Sequence, residues 1–370
     1  MAPLGVLPAR VLIIGSGLLG ASLGLALREH EVEVWLSDTS PAALHLARDL
    51  GAGSVMTDRT DSPELVVVAT PPDVVVPTVI AAFETYPGAL VTDVASVKGP
   101  IESDVLGAAG DDGARYIGSH PMAGRERSGA AAADADLFHG RTWVICPHDG
   151  MVSGAVGTVR AVATAVGALP LEMAAAEHDD AVAAVSHLPQ LMSSLTAAGL
   201  GSVRAEALGL AGQGLRDTTR IAASDPMMWS AILSANAAAV LPHAEAARDQ
   251  LDAVVEALRL AADRGVEAEG VMGTFAGVIE RGRDGVSRIP GKHGGAARRY
   301  AEVTVLIPDR PGQLGRLFGD VGDAGVNIED FRIEHSAGAK QGVATLLVVP
   351  ARAAGLIEHL EAQEWQVMEL

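Results

Sequence analysis

The stretch VLIIGSGLLG, residues 11–20, decides how the rest of the chain is read. A short apolar run ends in Gly15, Gly17, Leu18, Leu19 and Gly20, and helix-forming residues follow. In that setting G-x-G-x-x-G lets the backbone turn tightly and approach a pyrophosphate closely. The helix that follows aims its free amides and its positive end at the same place. These five residues are expected to hold a dinucleotide; the competing reading is a glycine turn in an unrelated α/β fold. Asp38 comes about 20 residues later, after the next apolar run, where a carboxylate accepts from ribose hydroxyls and repels a 2′-phosphate. Thr39, Ser40 and Pro41 follow it rather than an arginine, so NAD is expected over NADP.

Outward from this turn, apolar runs at residues 32–36, 65–69, 89–92 and 143–146 alternate with Ala-rich stretches. Strands buried on both faces read as such runs, and their alternation with helices implies a doubly wound parallel sheet of the Rossmann type over residues 9–171. Thr70 and Pro71 end one run, at the carboxyl edge where ligands sit; they are read as a cofactor contact or as a rigid turn. From residue 172 to 281 the β-branched clusters give way to Ala, Leu, Met and Glu, which favour helix. Asp225 and Pro226 open a helix as N-cap and first residue, expected to run to residue 263 with a kink at Pro242. This all-α block is read as a dimerisation domain, with a self-contained bundle as the alternative.

Residues 282–298 contain five glycines and a proline and are expected to be a linker. Beyond them, over residues 299–370, strand patterns at 300–307, 327–335 and 343–349 and helix patterns at 312–322 and 351–363 suggest a small βαββαβ, ferredoxin-like module.

Of the 370 residues 49% are hydrophobic, ample for the cores of two or three domains. The 46 acidic and 27 basic residues give a net charge of −19, which argues against a nucleic-acid or anionic-membrane partner. An anionic substrate then needs arginine and histidine gathered locally. The single cysteine, Cys146, excludes an intramolecular disulfide and a thiolate metal cluster. With no charged leader ahead of an apolar run and no apolar window of about 20 residues, a cytoplasmic protein is expected.

Three segments concentrate polar chemistry: DVASVKG at 93–99, GSHPMAGRERSG at 118–129 and LRDTTRIAASDPMMW at 215–229. Oxidising a hydroxyl to a carbonyl needs a group that takes the hydroxyl proton, and neutral histidine is suited to it. His30 follows a helix pattern, while His45, His178, His243 and His359 lie on helix patterns and are read as surface or packing residues. His120 stands apart, in a loop just beyond a strand. So does His187, because Pro189 interrupts its helix.

The glycine fingerprint, D-x-x-S-x-K, G-S-H-P-M-A-G-x-E, S-H-L-P and R-D-T-T-R-I-A-x-S-D-P-x-x-W occur in this order over about residues 9–281, and together they resemble the prephenate/arogenate dehydrogenase family. The resemblance implies a small-molecule substrate, prephenate or arogenate. It implies that His120 accepts the ring hydroxyl proton, and that Ser96 holds His120 and touches the nicotinamide. Arg220 would pair with a substrate carboxylate, Glu126 would gate the pocket, and Ser186, His187, Gln190 and Arg216 would face the substrate. Gln190 stands where many prephenate-using relatives carry a second histidine, and a neutral amide there suits the ammonium of arogenate. Arg125 replaces a small hydroxyl residue, and Arg216 matches a position where the family often carries lysine. Aromatisation drives the decarboxylation, so no metal is expected.

PDRPGQL at 308–314 followed by AGVNI at 324–328 resembles the ACT-domain signature. That resemblance implies an amino-acid effector, tyrosine, at Asp309, Gly312 and Asn327, or a module used only for pairing. Competing readings are another NAD(P)-dependent hydroxyacid dehydrogenase, which would place a lysine base on the helical domain, and a non-catalytic amino-acid sensor. The His120 segment and Arg220 weigh against both.

Overall fold

Val11 and Ile13 of β1 (Arg10–Ile14) enter one apolar core while Leu12 between them enters another. A strand buried on both faces needs no polar alternation, which is why its sequence is an unbroken apolar run. In the computed structural model, which describes residues 5–57, 62–124, 129–290, 300–335 and 341–368, the same holds along a whole sheet. Its other strands are β2 (Glu33–Ser37), β3 (Ser54–Val55), β4 (Leu65–Val68), β5 (Leu90–Asp93), β6 (Tyr116–Pro121), β7 (Thr142–Cys146) and β8 (Leu169–Glu172). They lie in the order β3-β2-β1-β4-β5-β6-β7-β8, with β3 to β6 parallel, β7 antiparallel to β6, and β8 parallel to β7. The strand order reverses at β1, beside β4, so a ligand crevice is expected at the carboxyl ends there. Helices α1 (Leu18–Arg28), α2 (Pro41–Asp49), α3 (Pro72–Thr85), α4 (Gly99–Ala109) and α5 (Ala155–Ala165) connect the strands.

One expectation fails here in a way that matters. His120 lies inside β6, not in a loop beyond a strand. Glycine and proline in its sequence, YIGSHP, mask a strand that is buried along its length. At Gly118 a Cβ would stand 3.2 Å from the Tyr116 hydroxyl and 3.3 Å from Lys98 Cδ, a tight fit that favours a residue without one.

After β8 the chain is helical. Helix α6 (Ala175–Val182) passes through one π-helical turn, Ala183–His187, into α7 (Leu188–Gly199). Pro189 cannot donate a backbone bond to the preceding turn, and the widened turn relieves the misfit. Short helices α8 (Ala205–Leu208) and α9 (Gln213–Thr219) lead to α10 (Pro226–Ala235), capped as expected by Asp225, whose carboxylate accepts from Met228 N at 2.8 Å. The helix expected to kink at Pro242 instead breaks at Asn236, and α11 (Ala237–Arg264) runs through the proline. Pro242 falls in the second turn of α11, where its missing N–H costs only one bond near a helix start. Helix α12 (Val271–Ser287) continues through the first residues of the expected linker, and residues 291–299 lie outside the described residues.

The chain divides into two compact units, residues 1–203 with 218–247, and residues 204–217 with 248–370. The second unit ends in β9 (Ala301–Pro308), α13 (Gln313–Asp323), β10 (Asp330–His335), β11 (Gln341–Val348), α14 (Pro350–Ala362) and β12 (Gln366–Met368). This is the βαββαβ order, with an antiparallel sheet β10-β11-β9-β12. Val303, Val305 and Ile307 alternate along β9 and pack with Leu317 and Val321 of α13 and Leu356 and Leu360 of α14. No helix among the described residues is long and apolar enough to cross a membrane.

Candidate active site

Four strand ends of the first unit carry the predicted residues to one edge of the sheet. Gly15 follows β1, Thr70 follows β4, Ser96 follows β5, and His120 is next to last in β6. At the glycine turn each glycine has its own reason. Gly15 has φ +105°, and a Cβ there would lie 2.4 Å from Ala69 O. A Cβ on Gly20 would lie 1.9 Å from Gly15 O, so α1 packs on the turn only without one. A Cβ on Gly17 would meet nothing within 4 Å. Gly17 is the N-cap of α1 and offers no side chain to the first amides of the helix, the donors that bind phosphate groups. Asp38 accepts from Ser16 N at 2.6 Å and Ser40 N at 2.7 Å, which fixes its carboxylate beside the turn. The hydroxyls of Ser16 and Thr70 are buried without a hydrogen-bond partner. A dinucleotide fits this donor-rich, open-sided turn. Pro71 caps the start of α3, so the rigid-turn role holds for it at least.

His120 is 8% exposed. Its Nδ1 lies 2.9 Å from Nε2 of His178, a fully buried residue. His178 Nδ1 donates to Asp179 Oδ1 at 2.8 Å. The Asp179 carboxylate also accepts from the backbone N–H of Lys98 and of Gly99, both at 2.8 Å, at the start of α4. His178 is therefore neither a surface nor a merely apolar packing residue. A helical pattern placed it correctly on α6 but could not show that its face meets β6. Ser96 is half-buried, and no hydrogen bond joins it to His120 in this structure.

Beneath His120 lies a buried polar cluster that joins Asp93 and Lys98 of the 93–99 segment to Tyr116, a residue the sequence does not mark. The Lys98 ammonium donates to Asp93 Oδ1 and, at 2.9 Å, to Ser119 O. The Tyr116 hydroxyl donates to Asp93 Oδ2 at 2.6 Å, and Ala95 N to Asp93 Oδ1 at 2.9 Å. Lys98 and Asp93 are both fully buried. Burial first, then the neighbouring His178, Lys98 and His187, hold the His120 imidazole well below its usual range, so the ring is neutral at physiological pH. Burial, with the charge of Asp93, pushes the Tyr116 hydroxyl well above its usual range.

His187 closes the π-helical turn and is buried. Its Nδ1 is 3.0 Å from Asn236 Nδ2, which also donates to Asp179 O at 2.9 Å. This pair of bonds explains why the helix breaks at Asn236. The Trp229 ring meets His187 edge-on, with centroids 6.0 Å apart. Burial pulls the His187 imidazole down to about 4. Gln190 is buried on α7 and donates from Nε2 to Ile221 O at 3.0 Å, anchoring the turn that begins at Arg220. Ser186 is half-buried and Arg220 exposed. Arg216 is exposed on α9 and belongs to the second unit. Glu126 and Arg125 lie outside the described residues. In the C-terminal module Gly312 adopts φ +86° at the start of α13, Asp309 is exposed, and Asn327 is exposed and donates to Glu329 Oε1 at 2.9 Å.

Comparison with known proteins bears on this geometry. Residues 23–170 match the family model described as the prephenate dehydrogenase nucleotide-binding domain, and residues 174–268 match the one described as the prephenate dehydrogenase dimerization domain. NovF of Streptomyces niveus, named a probable prephenate dehydrogenase, is 36% identical over 355 residues, covering 95% of this chain and 98% of NovF. A crystal structure of prephenate dehydrogenase from A. aeolicus in complex with hydroxyphenyl propionate and NAD+ superposes with a TM-score of 0.63 at 27% identity, covering 75% of this chain and 98% of that one. The crystal structure of Synechocystis arogenate dehydrogenase gives a TM-score of 0.59 at 26% identity, covering 75% and 99%.

Proposed function

The chain belongs to the prephenate dehydrogenase family, and from that premise we propose that it oxidatively decarboxylates prephenate to 4-hydroxyphenylpyruvate with NAD, in tyrosine biosynthesis. The observation that carries this reading is the buried, neutral His120 at the carboxyl edge of the sheet that also bears the glycine turn. Bound NAD would supply the hydride acceptor that oxidation of the carbinol carbon requires. Gly15, Gly17, Leu18, Leu19 and Gly20 would hold its pyrophosphate, Asp38 its adenosine ribose, and Thr70 and Pro71 would line its path. Ser96 would touch the nicotinamide.

His120 accepts the hydroxyl proton as the carbinol is oxidised, and its low basicity keeps it ready for that proton at neutral pH. Loss of carbon dioxide from the opposite ring carbon restores aromaticity. Arg220 is suited to hold the ring carboxylate through its planar fork of donors. Ser186, His187 and Gln190 would face the side chain. Burial of the imidazoles excludes water from the reacting edge and leaves the geometry, rather than solvent, to orient the hydroxyl.

A second reading, arogenate as substrate, is favoured by one contact. The Gln190 amide nitrogen is committed to Ile221 O, so its oxygen is the group it offers, an acceptor suited to an ammonium.

The divisions 9–171, 172–281 and 299–370 are proposed as nucleotide-binding, helical and ACT domains. The helical domain would form a cytoplasmic homodimer; exposed Leu251, Leu258, Met272 and Ile279 on α11 and α12 support a covered face. The βαββαβ order and the left-handed Gly312 support an ACT module that binds tyrosine at Asp309, Gly312 and Asn327.

NADH formation measured with prephenate and arogenate in parallel, with and without tyrosine, tests the reading. Turnover of prephenate is expected. Preference for arogenate would transfer the assignment to the second reading, and silence on both would refute the two together.

A further inference from the structure

A neutral imidazole has one nitrogen that donates and one that accepts, and the partner of the first fixes the role of the second. Around His120 and His187, the outermost partners have roles that cannot vary. The Asp179 carboxylate, already accepting from Lys98 N and Gly99 N, can only accept from His178 Nδ1, so the proton of His178 sits on Nδ1 and its Nε2 is bare. That bare nitrogen faces His120 Nδ1 at 2.9 Å, so His120 donates from Nδ1 and carries its lone pair on Nε2. On the other side, only the amide NH2 of Asn236 can meet the carbonyl oxygen of Asp179. The same NH2 faces His187 Nδ1 at 3.0 Å, so His187 accepts there and carries its proton on Nε2.

Resting on the reading of His120 as the proton acceptor, we propose that Asp179, His178 and Asn236 are positioning residues that hold the two site imidazoles in opposite tautomers: His120 presents a lone pair at Nε2, and His187 presents an N–H at Nε2. The two requirements of the substrate class call for this pair. A hydroxyl must give up a proton at one end, and a carbonyl or carboxylate oxygen must be held at the other. His178, Asp179 and Asn236 are all buried, so they act through the imidazoles. Asp179 joins the two halves, its carboxylate directing His178 and its backbone oxygen orienting Asn236.

The test reads the tautomers directly. The full chain is labelled with 15N-histidine, and two-bond proton–nitrogen correlations are recorded near neutral pH, the rings being assigned through the His120→Asn and His187→Asn variants. His120 is expected protonated on Nδ1 alone and His187 on Nε2 alone. In Asn236→Asp the new carboxylate can only accept, so His187 should move its proton to Nδ1, and KM for the substrate should rise about tenfold or more with a smaller change in kcat. Finding His120 protonated on Nε2 in the unsubstituted protein, or both rings in the same tautomer, overturns the inference. The expected tautomers without turnover of prephenate or arogenate would uphold the positioning device and refute the substrate reading. Turnover with different tautomers would do the reverse.

Discussion

Replacing Lys98 by methionine removes one ammonium from a place where water does not reach. Lys98 and Asp93 are each fully buried and bonded to one another, and Lys98 also satisfies Ser119 O. The substitution keeps most of the volume and leaves a buried carboxylate without its counter-charge. Removing one partner of a buried pair costs about 3–5 kcal/mol. Asp93 keeps the hydrogen bonds from Tyr116 and Ala95, which places the expected loss near the lower figure, about 3 kcal/mol. With a urea slope of about 3 kcal/mol per molar, the midpoint should fall by about 1 M. Fluorescence of Trp35 and Trp143, both buried in the same domain, follows the transition. The companion change Asp93→Asn, made together with Lys98→Met, removes both charges and should recover most of the loss, so the double-mutant cycle should be strongly non-additive. Lys98 is also one of the groups that hold the His120 imidazole down, so the acid limb of kcat/KM should move to higher pH in Lys98→Met. A loss below about 1 kcal/mol, as for a surface pair, or an additive cycle would refute the reasoning.

Three further outcomes follow from the same geometry. Gly20→Ala should destabilise the nucleotide domain because its Cβ meets Gly15 O, whereas Gly17→Ala, with open space around it, should spare the urea midpoint and weaken NAD binding measured by calorimetry. In the unsubstituted enzyme kcat/KM should hold steady as pH falls past the usual imidazole range, because the His120 proton is bound only at lower pH; a fall centred on the ordinary histidine value would contradict its burial. Between pH 6.5 and about 4 the unfolded chain protonates His187 while the folded one does not. Stability should therefore decline as pH drops through that window, and more steeply than in His187→Gln, by urea midpoints taken at several pH values.

The nucleotide turn was readable because all its determinants are local. A strand, three spaced glycines and a carboxylate lie within 30 residues, and Gly15 and Gly20 are each demanded by close backbone neighbours. The small C-terminal module was readable from its alternation, since Val303, Val305 and Ile307 line one face of β9. What stayed hidden depends on distant pairing. His178 lies on a helical pattern like three other histidines, and nothing local marks the side of α6 that meets β6. Asp179 beside it offered a signal, an acid adjacent to a histidine near a helix start, but the amides it accepts are some 80 positions earlier in the chain. β6 reads as a loop because glycine and proline ordinarily punctuate structure, and the tight approach of Tyr116 and Lys98 that favours Gly118 is tertiary. The break at Asn236 was attributed to Pro242 for the same reason: a side chain bonded across to α6 and the π-helical turn overrides the local breaker.

The central claim is tested most directly by steady-state NADH formation from prephenate, compared between the unsubstituted chain and His120→Asn near neutral pH, with NAD affinity measured on both. The account predicts matched NAD affinity and turnover lower by about a hundredfold or more in the variant. Turnover within a few-fold of the unsubstituted chain would contradict the role given to His120 and, with it, the mechanism built on it.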